Sequence, residues 1–193
     1  MERRRTLAIL AGLAIMIGGC GKQVESTAPQ NNARQEAPIS VESVATNTAG
    51  FSAGNLLSTR KVYVFFDPQC PHCGELWRAS KPLFSTVHFI WIPVALLTPD
   101  RSAEQGAALL GSKDAISTMD AHEALLESRK GGLDVASGAI PESAMRQVGV
   151  NTEFFRRLNL TSVPFVVFQG KSGETKVFEG SLTTQALESE LGL

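Results

Sequence analysis

Residues 61–77 read KVYVFFDPQCPHCGELW, and the fold turns on how this stretch divides. Lys61 to Asp67 is β-branched and aromatic and is closed off by Pro68, which reads as a buried strand. From Cys70 the pattern predicts a helix to about Phe84, with Leu76, Trp77 and Phe84 available to a core and a kink at Pro82. Two cysteines separated by two residues therefore fall at a strand-to-helix junction. Cys70 sits at the helix N-terminus, where unpaired backbone N–H groups and the positive end of the dipole favour a thiolate. A protonated His72 in the same loop adds to that stabilisation. Cys73, one turn further in, is expected to be buried and to keep its proton. The asymmetry provides one attacking sulfur, Cys70, and one resolving sulfur, Cys73.

Further along the chain, Val87 to Val94 (VHFIWIPV) reads as a second buried strand. Residues 99–160 carry no strand signal, and Ala103, Ala107 and Leu110, like Ile116, Met119 and Leu126, keep helical spacing. Pro141 is placed to start another helix, through about Val148. Residues 164–169 (PFVVFQ) and 175–179 (TKVFE) flank Gly170-Lys171-Ser172-Gly173, the pattern of a hairpin, and Thr183 to Leu191 closes the chain as a helix. The order β-α-β, helical insertion, β-β-α predicts an α/β fold: a mixed central sheet flanked by helices on both faces.

On the N-terminal side, Arg3, Arg4 and Arg5 precede the apolar run LAILAGLAIMI and then Gly18-Gly19-Cys20. This layout is that of a secretory signal over residues 1–19, too short to span a bilayer comfortably. Ile17-Gly18-Gly19-Cys20 resembles a bacterial lipobox, which implies cleavage before Cys20, a lipid on its sulfur and an extracytoplasmic, membrane-anchored protein. In a Gram-negative cell the Gly at position 21 is compatible with the outer membrane. Residues 20–57 are rich in Gln, Asn, Ser, Thr, Ala and Pro and read as a lipidated N-terminus and flexible linker, with a strand or short helix within Val41 to Leu57 as the exception to weigh. The folded domain is expected over residues 58–193, with its insertion at about 99–160.

The chain has 193 residues with 18 Lys+Arg against 19 Asp+Glu, which fits one domain with a real core and offers no basic excess for a nucleic-acid partner. Three cysteines are too few for a disulfide-dense scaffold. No second Cys-x-x-Cys exists, and His88 and His122 have no ligand-like spacing to the first, so no metal is expected. A purely structural disulfide across so short a loop gains little.

The segment Phe65-Phe66-Asp67-Pro68-Gln69-Cys70-Pro71-His72-Cys73, followed by Trp77, resembles the active-site segment of periplasmic thioredoxin-fold proteins, and most of all the catalytic domains of DsbG and DsbC. The resemblance continues through residues 93–114 and Leu160-Thr161-Ser162-Val163-Pro164. It implies a thioredoxin-like fold and thiol–disulfide exchange on exported proteins, with the Cys70/Cys73 disulfide as the only redox group and no added cofactor. It also implies that Pro164 is a cis-proline and that the backbone of Val163 before it meets the substrate chain. A membrane redox partner follows from the same resemblance, either a DsbD-like donor or a DsbB-like acceptor. Three features depart from it. Residues 21–57 are too short and polar for the dimerisation domain of DsbC and DsbG, which points to a monomer. Val163 and the Pro71-His72 dipeptide are DsbA-like. The buried acid of thioredoxin, six residues before the first cysteine, is replaced by Val64, so Cys73 must give its proton elsewhere.

The reading favoured by the sequence is an extracytoplasmic thiol–disulfide oxidoreductase with DsbG/DsbC-like reductase or isomerase activity. A DsbA-like dithiol oxidase is the first alternative. A non-enzymatic lipoprotein binding a metal or a partner is the second.

Overall fold

The computed structural model describes residues 39–135 and 140–193; the leader, the lipobox and Cys20 lie outside them. Helix α1 (Val41–Asn47) opens the described chain, capped by reciprocal Ser40 and Ser43 side-chain bonds to each other's backbone N–H. Strands β1 (Phe51–Gly54) and β2 (Lys61–Phe66), helix α2 (Pro71–Ser80), a 3-10 turn (Lys81–Leu83) and strand β3 (His88–Pro93) follow. Then come three helices, α3 (Pro99–Gly111), α4 (Ala115–Glu127) and α5 (Glu142–Arg157), and finally strands β4 (Phe165–Gln169) and β5 (Thr175–Glu179) and helix α6 (Thr184–Leu191).

The five strands form one mixed sheet in the order β1-β3-β2-β4-β5. β2 and β3 are parallel and the other three pairings antiparallel. Side chains alternate across it with period two. Val62, Val64 and Phe66 of β2, Phe89 and Trp91 of β3 and Val166 and Phe168 of β4 face a core closed by Leu76 and Trp77 of α2, Met119 of α4 and Leu187 and Leu191 of α6. Tyr63, Phe65, Ile92, Phe165 and Val167 face the opposite way, onto Val44 of α1 and Phe154 and Phe155 of α5. The tight turn between β4 and β5 runs through Gly173, whose φ of +87° lies where a side chain is disfavoured.

Three boundaries differ from the sequence expectation. The linker does not run to residue 57: α1 buries Val44, and β1 pairs with β3 in the register Phe51↔Trp91 through Gly54↔His88. Few apolar residues suffice here because they are placed at the right alternation; Phe51 and Ala53 both point inward. The helix after Cys70 stops at Ser80 and continues only as a 3-10 turn, since Pro82 has no N–H to donate back to Arg78. The helix predicted to end near Val148 runs to Arg157. Asn151 and Thr152 interrupt its apolar pattern, yet both are buried and bonded. Asn151 Nδ2 donates to Ala49 O (2.8 Å) and Pro93 O (3.1 Å), and Thr152 Oγ1 accepts from the N–H of Ala95 (2.9 Å).

Candidate active site

Cys70 is the residue before the first turn of α2, with extended backbone (φ −91°, ψ 115°), and Pro71 begins the helix with a φ already suited to it. Both cysteines are free thiols and both are buried, Cys70 at 4% and Cys73 at 1% exposure. Their acidities diverge. A hydrogen bond from the Cys73 thiol, opposed by burial and helped by the backbone N–H groups of Cys73 and His72 and by the His72 charge, lowers Cys70 to about 6. Burial, then the hydrogen bond to Cys70 and its charge, push Cys73 well above the ordinary thiol value. At pH 7 Cys70 is thus mostly thiolate, and Cys73 carries the proton.

His72 itself is exposed. Its Nδ1 sits 2.9 Å from Glu75 Oε2, and that bond, together with the Glu75 charge, raises its pKa. Glu75 also accepts from Ser181 Oγ at 2.7 Å, tying the histidine to the loop before α6. On the Cys70 thiol, the backbone N–H of His72 comes ahead of its ring charge.

The Val163–Pro164 peptide bond is cis, and the carbonyl oxygen of Val163 lies 3.5 Å from Cys70 Sγ, accepting from the thiol when it is protonated. A loop 93 residues further along the chain is thereby set against the reactive sulfur. Pro164 is buried and Val163 half-buried, packing on both cores. Of the expected site residues, Cys70, His72, Cys73, Val163 and Pro164 therefore stand at one end of the sheet, while Cys20 lies outside the described residues.

Six further residues hold this site, and the sequence singled out none of them in that role. Asp67, fully buried, accepts from the N–H of Gln69 (2.8 Å), Leu96 (2.7 Å) and Leu97 (2.9 Å) and from Ser102 Oγ (2.7 Å). Gln69 Nε2 donates to Gln105 Oε1 (2.5 Å) and to Gly131 O (3.0 Å), and Gln105 Nε2 to Gly131 O and Leu133 O. His122 of α4 is fully buried and spans the loop: Nδ1 accepts from the N–H of Leu133 (3.2 Å), which puts its proton on Nε2, donating to Pro68 O (2.7 Å). Burial lowers its pKa, consistent with a neutral ring. Trp77 Nε1 donates to Asp120 Oδ1 at 2.7 Å, fastening α2 to α4. The helical insertion thus braces the Cys70 loop from outside the sheet; each partner lies too far along the chain for local pattern to reveal.

Among the described residues no group of three or more His, Cys, Asp or Glu could hold a metal ion. No described helix is long and apolar enough to cross a membrane.

The thiolate assignment has a direct readout. Absorbance of the reduced protein near 240 nm is expected to rise with a midpoint at about 6, and the Cys70→Ser variant to lack that step. Stability follows with a defined sign. The folded pKa of Cys70 lies below the ordinary value of 9.0, so its contribution is complete above pH 9 and lost as pH falls through 6. Between pH 7 and 8.5 the reduced wild type should therefore gain stability relative to Cys70→Ser; a constant difference across that range contradicts the thiolate.

No protein-family model matches the chain. It is 26% identical over 147 residues to the thiol:disulfide interchange protein DsbG of Pseudomonas aeruginosa, covering 75% of this chain and 56% of that one. It is 30% identical over 112 residues to DsbG of Escherichia coli, covering 57% and 44% respectively. The chain thus spans about half the length of the curated relatives it matches. Its fold is similar to that of a thioredoxin-like oxidoreductase from Silicibacter pomeroyi, with a TM-score of 0.62 at 16% identity, covering 80% of this chain and 96% of that one.

Proposed function

We propose that this chain is an extracytoplasmic thiol–disulfide oxidoreductase that exchanges disulfides with exported proteins through Cys70 and Cys73, with DsbG/DsbC-like reductase or isomerase activity. The observation that carries the reading is the split between the two thiols, one lowered to about 6 and the other raised well above its ordinary value, at the end of a helix facing the Val163 carbonyl. The DsbG similarity supports the same class of chemistry. In this reading Cys70 thiolate attacks a substrate disulfide and releases one substrate thiolate, and the backbone of Val163 holds the substrate strand as it does so. Cys73 then loses its proton, attacks Cys70 Sγ and frees the second substrate thiolate, leaving the Cys70–Cys73 disulfide. No cofactor beyond the pair is required. A membrane donor of DsbD type then reduces it again, Cys20 supplies the lipid anchor, and the domain works as a monomer on protein substrates, not on nucleic acid.

A DsbA-like oxidase is the second reading, favoured by one observation. Stabilising the Cys70 thiolate stabilises the dithiol form and makes the disulfide a stronger oxidant.

The test is the Cys73→Ala variant. Without the resolving sulfur, mixed disulfides on Cys70 should accumulate with exported proteins and resist gel electrophoresis without reductant. Cys70→Ser should abolish them, and an absence of adducts on Cys73→Ala would overturn the reading. The redox state of the wild-type pair in cells separates the two directions: mostly dithiol for a reductase or isomerase, mostly disulfide for an oxidase.

A further inference from the structure

Glu123, on the face of α4 that meets α2, is a buried carboxyl that the exchange chemistry above does not use. It is 6% exposed, and it lies against the first turn of α2 where Gly74 leaves room: a Cβ on Gly74 would fall inside the carboxylate. Gly74 is four residues after Cys70, and its N–H points back to Cys70 O at 3.4 Å, so the carboxyl stands on the Cys70 side of the helix. Arg78 on α2, with Nη1 4.0 Å from Glu123 Oε2, favours its ionised form, whereas Asp120 and Glu127 on α4 and the Cys70 thiolate oppose it. Burial, the largest influence, raises Glu123 to about 7 in the dithiol protein. The other buried carboxylate near the pair, Asp67, already accepts four hydrogen bonds.

We propose that Glu123 is the proton reservoir of the cysteine pair, taking up a proton when the Cys70–Cys73 disulfide is reduced and releasing it on oxidation. The inference rests on the thiol–disulfide reading and extends it to where the protons go. When a substrate dithiol reduces the pair, two S–H bonds are lost, the substrate S–S bond forms and two electrons break the bond between Cys70 and Cys73. One proton ends on Cys73. Cys70 remains a thiolate, and its new negative charge draws the other proton onto the Glu123 carboxylate instead of leaving it to bulk water. In the reverse direction the charge on Cys70 disappears and Glu123 ionises. Glu123 acts on Cys70 through charge, without contact.

The experiment follows the Glu123 side-chain carbon by ¹³C NMR from pH 4 to 9 in the full chain, both oxidised and reduced, with the Glu123→Gln variant assigning the resonance. The expected result is a midpoint near 7 in the reduced protein and a lower one in the oxidised protein. Coincident midpoints overturn the proposal. Equilibration with glutathione gives a second readout. At pH 8, where Glu123 is ionised, E123Q should favour the dithiol form over wild type, because it removes a negative charge that opposes the Cys70 thiolate. At pH 5, where the carboxyl is neutral, the difference should vanish; a pH-independent change points to a structural role and overturns the proposal. Gly74→Ala, which must push the carboxylate away, should reproduce the pH 8 shift. The outcomes separate the two readings: mixed disulfides on Cys73→Ala with coincident Glu123 midpoints sink only this inference. Redox-dependent midpoints with no protein adducts sink only the proposed function.

Discussion

An Asp67→Ala variant is expected to lose on the order of 4 kcal/mol of stability, a large part of what holds a domain of this size together. The reason lies in the donors left behind. Asp67 Oδ1 takes the N–H of Gln69 and the hydroxyl of Ser102, and Oδ2 takes the N–H groups of Leu96 and Leu97, all within 2.9 Å. Removing the carboxylate leaves these donors without their acceptor in a site with no solvent exposure, and each unsatisfied group costs about 1–3 kcal/mol. Asp67→Asn should recover only part of the loss, because an amide presents one acceptor oxygen where two are needed. Urea unfolding reads the effect as a lower midpoint at unchanged slope. The same change should blunt exchange chemistry, since the Cys70 N–H bonds to Asp67 O at 2.9 Å and the loop between them is fixed by the lost contacts. An unaltered midpoint would mean that the loop finds other partners.

Removing residues 1–57, the segment that composition assigns to leader and linker, is expected to abolish cooperative unfolding. The truncation takes away Val44, Phe51 and Ala53, all buried. Phe51 packs edge-on against Phe66 (6.0 Å) and Trp77 (6.1 Å), at the back of the active-site helix. Burial of these side chains is worth roughly 5 kcal/mol together. The cut also strips β3 of its antiparallel neighbour, exposing a strand edge, and leaves Asn151 without Ala49, to which it both donates and from which it accepts. Near-ultraviolet circular dichroism and the slope of urea unfolding would report the collapse of packing. A truncated protein that unfolds at the wild-type midpoint would show that α1 and β1 are dispensable.

These two variants mark where local pattern was informative. The β2–loop–α2 unit was legible because everything it needs is contiguous: β-branched and aromatic residues, a breaking proline, then two cysteines at the start of a helix. The β-branched and aromatic runs of β2, β3 and β4 likewise indicated strands, since each is largely buried on both faces. The helical insertion was legible as helix but not as a brace, because the bonds of His122 to Pro68 O and of Gln105 to Gly131 O and Leu133 O join residues that carry no pattern in common. The helix read from Pro141 to about Val148 runs on to Arg157, with Asn151 and Thr152 buried against tertiary partners that no local pattern shows. In α1 and β1 the polar composition placed the linker boundary at residue 57, although the apolar residues of Val41 to Leu57 had left room for a strand or short helix, and the structure has both.

By itself the sequence determined the α/β order, the pairing of a strand with a Cys-Pro-His-Cys helix start, and which sulfur is placed to become a thiolate. These follow from interactions within a few residues: backbone propensity, side-chain alternation and the free N–H groups of one helix end. Tertiary structure alone decided what surrounds those sulfurs. It set the Val163 carbonyl 3.5 Å from Cys70, enclosed Asp67 among four donors, and laid the Glu123 carboxyl on Gly74. Apart from the Gln69 N–H on Asp67, these contacts join segments tens of residues apart, and the burial and charge that tune a thiol arise only once those segments pack together.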